Sequence, residues 1–152
     1  MTPRHLAREV ALQLIYRYDV ASPADAAGTS ASIPGIASEL RSHFDHFHVP
    51  AEVREFAAEL VAGTLTERQN LDALIEKHAE NWKVSRMGHI DRNILRLALY
   101  ELKHLPSTPP SVVIDEAIEL AKQFGTSESA GFVNGILDAA LKRTLRATSP
   151  AN

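Results

Sequence analysis

Three short stretches hold side chains able to ligate, to pair with phosphate or to stack. In HFDHFHVP, His43, His46 and His48 stand around Asp45. Imidazole is the commonest metal ligand, but this spacing is not the i, i+4 pair of a helical metalloprotease site, and no acidic general base is arranged beside it. The cluster reads instead as surface histidines at a helix end, where a protonated ring favours the negative end of the dipole. At the N-terminus Arg4 and Arg8 lie one helical turn apart, with His5 and Glu9 beside them. They form either a solvated face or a short basic handle that reaches phosphates. Near the C-terminus Gly131 and Gly135 flank Phe132 and Asn134. A glycine inside a helix costs about 1 kcal/mol relative to alanine, and close approach of another helix or of a ligand is the usual compensation. Phe132 is then either a packing residue or a flat face for a base. The lone tryptophan, Trp82, sits between Asn81 and Lys83 with Arg86 nearby, and is expected to cover the boundary between the two halves of the chain, with stacking on RNA as the lesser alternative.

Other chemistry is missing. The sequence has no G-x-G-x-x-G, P-loop, G-x-S-x-G or H-E-x-x-H. No carboxylate pair stands on an apolar background where an acid/base couple would be tuned. These residues point to a binding protein rather than an enzyme, with no catalytic residue, metal or cofactor.

The elements that carry these stretches follow from composition and apolar spacing. A chain of 152 residues is most simply one domain and large enough to bury a core. With no cysteine, disulfides and thiolate metal sites are excluded. No apolar run reaches the ~20 residues of a membrane span, and the N-terminus has no signal-peptide core, so a cytoplasmic location is expected. Net charge is −3 but uneven: residues 1–80 carry −5 and residues 81–152 carry +2. Nucleic acid would therefore have to be met by a local basic patch.

Periodicity predicts helices almost throughout. Leu6, Val10, Leu14 and Tyr18 mark a first helix over 3–19, and the Pro- and Gly-punctuated residues 20–36 form a linker. A short helix is expected from Ile36 to Phe47, and another from Pro50 to about Leu65. Thr66 and Gln69 fit a capping box before a helix that turns Leu71, Leu74, Ile75 and His78 inward. The segment Ile90–Leu105, IDRNILRLALYELKHL, has an apolar stripe wider than one face. It predicts a central helix surrounded by others. Pro109 and Pro110 open a helix that ends at Gly125 as its cap, and Thr126 or Ser127 caps the last one, whose inward set includes Val133, Ile136, Leu137 and Ala140. The tail RATSPAN is expected to fray.

With Ala7-Arg8-Glu9, Gln13 and Tyr16, the region of Trp82, DRNILRLALYEL, VIDEAIELAKQFG and SESAGFVNGILD, the sequence resembles the NusB family of transcription antitermination factors. The FVNG-x-LD pattern at Phe132–Asp138, following EAIELAK, is its most specific part. The resemblance implies an all-α NusB-like fold of two three-helix bundles sharing a core, with about seven helices. It implies one RNA-binding domain over 1–152, with sub-bundles roughly 1–80 and 81–146. It further implies a non-enzymatic adaptor that pairs with NusE, a small-subunit ribosomal protein. Together the two would bind boxA-type RNA and join the elongating RNA polymerase with other Nus factors on ribosomal RNA operons.

Carried over residue by residue, the family's basic N-terminus falls on Arg4, His5 and Arg8, with Leu6 where relatives can have arginine. Its second RNA-facing region falls on Glu128 and Phe132, Phe132 as the stacking residue and Glu128 as a carboxylate that tunes affinity. The NusE-facing surface falls on Asp91 and Pro110, the latter where some relatives have tyrosine. Behind this reading stand three others. One is a homodimeric scaffold that hides the RNA face. Another is the appendage of an RNA methyltransferase, disfavoured because the chain ends soon after its last helix. The third is a metal-dependent hydrolase built on the histidine cluster.

Overall fold

The computed structural model describes residues 2–21 and 33–145, the side chains of 33–37 and 39 excepted. The core of the expected linker, 22–32, and the tail from 146 lie outside the described residues. Among those described there are seven α-helices and no strand. They are α1 (Pro3–Ala21), α2 (Ile33–His46), α3 (Ala51–Thr66), α4 (Arg68–His78), α5 (His89–His104), α6 (Pro110–Phe124) and α7 (Ser129–Ala140). A 3-10 turn, Val84–Arg86, precedes α5, and a π turn, Leu141–Leu145, follows α7. Both ends of the expected linker are helical: residues 20 and 21 belong to α1 and residues 33–36 to α2.

The chain divides into two compact units, Met1–Arg68 and Gln69–Asn152. In the first, α1 pairs chiefly with α3, and α2 also packs on α3. Val10, Ala11, Leu14 and Ile15 of α1 are buried, as are Val53, Ala57, Leu60 and Val61 of α3. Apolar residues at three- and four-residue spacings align on one face of each helix. Arg54 fastens the α2–α3 corner. Its Nε donates to the Val49 carbonyl at 2.7 Å, Nη1 to Asp45 at 2.7 Å and Nη2 to the Phe44 carbonyl at 3.2 Å. His48 takes a left-handed φ of 52° there, a conformation open to few non-glycine residues. At the far end of α1, Asp19 accepts from Arg68 at 3.0 Å, and both side chains are buried. The α3–α4 break falls where expected, but not through a capping box. Thr66 is the last residue of α3, and its hydroxyl donates to the Ala62 carbonyl at 2.7 Å. That back-bond to position i−4 takes the group a cap would need.

In the second unit α5 packs against α6, α7 and the π turn, as its wide apolar stripe predicts. Every residue from Arg92 to Leu99 is buried, and two of them are arginines. Arg96 is 1% exposed. Its Nε and Nη2 donate to the two carboxylate oxygens of Asp72 on α4, at 2.7 and 3.0 Å, and its Nη1 donates to Asn93 Oδ1 at 2.9 Å. Asn93 in turn donates to the His89 carbonyl at 2.7 Å. Arg92 donates to the Val84 carbonyl at 3.2 Å and so holds the 3-10 turn to α5. Pro110 is the first residue of α6, where its missing N–H costs nothing. Gly125 is the C-cap of α6 as expected, but in an extended conformation with φ −96° rather than a left-handed one, and close packing leaves no room for a Cβ. A Cβ there would run into Ser129 Oγ and stand 2.8 Å from the Ala121 carbonyl oxygen. Ser129 Oγ accepts from Thr126 N–H at 2.9 Å, and Thr126 Oγ1 accepts from Glu128 N–H at 3.3 Å. Neither Thr126 nor Ser127 is the cap expected: Glu128 holds the N-cap position without a side-chain bond, and the Thr126–Ser129 contacts shape the entry to α7 instead.

Because Asp72 accepts two of the bonds that the buried Arg96 guanidinium donates, Asp72→Ala removes a carboxylate from a buried ion pair. Urea denaturation should show a loss of about 3 kcal/mol. That is the low end for breaking a buried pair, since the Asp72 side chain keeps some solvent contact.

Candidate nucleic-acid interface

The N-terminal basic residues are positioned by the start of α1. Thr2 Oγ1 accepts the His5 N–H at 3.1 Å, which satisfies one of the orphan donors of the first turn. Arg4 is exposed, with its guanidinium carbon 4.2 Å from the centroid of the Phe56 ring on α3. Arg8 lies 5.4 Å from the same ring but is only 3% exposed. Both guanidiniums thus lie near the same ring, Arg4 exposed to solvent and Arg8 buried. A guanidinium over a ring is held by cation–π attraction while its N–H edge stays open to an anion. That edge is accessible on Arg4 and enclosed on Arg8. His5 is half-buried, with Nε2 3.9 Å from Glu9 Oε2.

The second patch lies around the start of α7. Glu128 is exposed and Phe132 half-buried. The Phe132 ring meets Trp82 edge-on, with centroids 6.2 Å apart and planes at 73°. Trp82 does not have the buried packing role expected of it, since 52% of its surface is exposed. The local signal was present in the sequence: Glu80, Asn81 and Lys83 put no apolar residue beside the indole, while Val84 and Met87 go inward. Gly131 and Gly135 are also exposed, and a Cβ on either meets nothing within 4 Å. No helix approaches them closely. Of the residues expected to face a protein partner, Asp91 is half-buried in the first turn of α5 and Pro110 is exposed. Nearby cations differ in availability: Arg92 is buried, while Lys122 is exposed and 3.9 Å from Glu119.

The histidine cluster is not a uniform surface group. His46 and His48 are exposed, but His43 is buried, with Nδ1 3.2 Å from Arg17 Nη1 and its ring 4.6 Å from that of Phe47. It lines a cavity of about 570 Å³ with Arg17, Tyr18, His46 and Phe47. Among the described residues, no three His, Cys, Asp or Glu side chains stand where they would hold a metal ion. His78 points inward as expected, its Nε2 2.8 Å from the Thr144 hydroxyl.

The NusB family matches residues 5–142. The transcription antitermination protein NusB of Myxococcus xanthus is 44% identical over 138 residues, which cover 91% of this chain and 94% of that protein. The chain belongs to the NusB family. Its fold agrees: T. maritima NusB superposes with a TM-score of 0.78 at 33% identity, covering 93% of this chain and 92% of that one. The solved complex of the antitermination factors NusB and NusE with double-stranded RNA contains a chain similar at a TM-score of 0.76 and 29% identity. It covers 93% of this chain and 98% of its own. In this NusB-family protein, no described helix is long and apolar enough to cross a membrane.

Two histidines make the fold sensitive to acid. Burial, then the Arg17 charge, then His46 lower the pKa of His43 below 6.5. Burial, then Lys77 and Arg143, lower that of His78. The folded protein therefore keeps both rings neutral at pH values where the unfolded chain is already protonated. Stability is full above pH 6.5 and declines as pH falls from there toward the lowered folded values. The thermal midpoint should be lower at pH 5.5 than at pH 7.5, and the fall should shrink in the double variant His43→Asn/His78→Gln.

Proposed function

We propose that this protein is a transcription antitermination factor. It is a non-enzymatic cytoplasmic adaptor that binds boxA-type RNA together with NusE and supports processive transcription of ribosomal RNA operons. It does so within the RNA polymerase elongation complex, alongside other Nus factors. The observation that carries this reading is the likeness, over nearly the whole chain, to the NusB of a solved complex that also holds NusE and RNA. The two compact units work as one RNA-binding domain.

Arg4 and His5 meet phosphates, Arg4 through the open edge of a guanidinium held over Phe56. Arg8 supports that platform from inside. Phe132 stacks on a base, and Glu128, exposed beside it, tunes affinity because a carboxylate repels phosphate. Asp91 and Pro110 face NusE. Backbone neutralisation supplies most of the affinity and makes it salt-dependent, while stacking adds a contribution that salt screens little.

Binding of labelled boxA-type RNA, with and without NusE, at two salt concentrations tests the reading. Salt-sensitive binding strengthened by NusE is expected, and no binding in either condition overturns it. Arg4→Ala should flatten the slope of log K against log salt by roughly 0.7, the single-strand value for one phosphate contact. Arg8→Ala should show mainly as lost stability in a melt. Phe132→Ala should cost about 1–3 kcal/mol of RNA affinity. Unchanged affinity in a folded variant would assign Phe132 to packing alone.

A further inference from the structure

We propose that Trp82 is a second base-stacking residue of the RNA site, its exposed indole taking an unpaired nucleobase beside Phe132. The proposal rests on the RNA-binding reading above and extends it to a residue outside the motif that defines the second patch. The indole is the only one in the chain, and just over half of it is open to solvent. With the Phe132 ring against it, the indole belongs to an aromatic patch rather than being a lone exposed side chain.

The exposure is built in on both sides. Glu80 and Asn81, immediately before the indole, take left-handed φ values of 33° and 67°, which non-glycine residues adopt at a cost. Immediately after it, Val84 is buried, and its N–H donates to Glu76 Oε2 at 2.8 Å. The Val84 carbonyl accepts from Arg92, and Met87 is buried at the end of the turn. The backbone is thus fixed on each side of a side chain that is turned outward.

Its surroundings fit single-stranded RNA. Phe132 supports the indole edge-on, so two aromatic rings stand together for successive bases. Lys83 and Arg86, one and four residues after the indole, are exposed, which supplies charge complementary to a phosphate backbone. Gly131 precedes Phe132 and Gly135 lies about one turn beyond it, both exposed and with open space where a Cβ would be. A strand of RNA can therefore come close to the α7 backbone next to the rings. A protein partner that used Trp82 as an apolar anchor would not need these two cations.

The test uses the full chain with NusE and a single-stranded boxA-type oligonucleotide, comparing wild type with Trp82→Ala and Trp82→Phe. Far-UV circular dichroism and a thermal melt on each variant check the fold. Trp82→Ala should weaken RNA binding about tenfold, and Trp82→Phe should keep most of the affinity. Neither should change the salt slope, since no charge is removed. In the protein without NusE, saturating RNA should quench the emission of this single tryptophan. Emission unchanged at saturation overturns the proposal whether or not the alanine variant folds. It is also overturned if a folded Trp82→Ala protein binds RNA as wild type does, including the case where it loses NusE instead. If wild type binds RNA and Phe132→Ala weakens it while Trp82→Ala does not, the adaptor reading stands and the role of Trp82 alone falls. If wild type binds no RNA, both fall together.

Discussion

The pairing of Arg96 with Asp72 is the contact on which the second unit depends. A guanidinium in the middle of a helix that is buried on all sides has no water to meet its charge, and a bare cation in such a place is prohibitively costly. Asp72 answers with both carboxylate oxygens, and Asn93 takes a further N–H. A two-oxygen contact has little tolerance for sliding, so it ties α4 to α5 at this point. Breaking a pair of this kind costs far more than its net contribution to stability, because it leaves a buried charge poorly met. With α5 so placed, α6 and α7 pack on it. Arg92, one turn earlier, holds the turn that carries Trp82. The geometry of the aromatic patch is thus downstream of a charge buried well away from it in sequence.

The same division of labour among cations explains how a chain with a net charge of −3 can present basic surface. Arg54, Arg68, Arg92 and Arg96 are occupied by carbonyls and carboxylates within their own units. Arg4, Lys83 and Arg86 stay exposed. Counting charges along the chain mixes these two populations. Only the second is open to an anion, and only the folded chain separates it from the first.

Much of the fold was legible. The helices, the break near Thr66, the entry at Pro110 and the stop at Gly125 follow from local spacing and local sterics. The NusB resemblance rested on short motifs such as Phe132–Asp138, and the family match and the solved relatives agree with it. The candidate site was legible as an inventory of residues but not as a set of environments. Arg8 was read beside Arg4 as an equal partner, yet it is enclosed where Arg4 is open. The cluster of His43, His46 and His48 was read as one surface group, yet His43 is buried against Arg17. Trp82 was read as packed, yet it is exposed, and of the two approaches that would suit Gly131 and Gly135, a helix or a ligand, the helix is not there.

The sequence by itself determined what depends on near neighbours: helix positions, the faces that go inward, and the family. Those properties repeat every three or four residues and need no knowledge of what lies opposite. Tertiary structure decided which polar groups are buried and with what. Each such outcome joins residues far apart in the chain, as with Arg4 and Phe56, Arg96 and Asp72, His78 and Thr144, and Trp82 and Phe132. A charge or a ring has no environment until the second residue arrives, so neither its exposure nor its availability to a ligand is written in the residues around it.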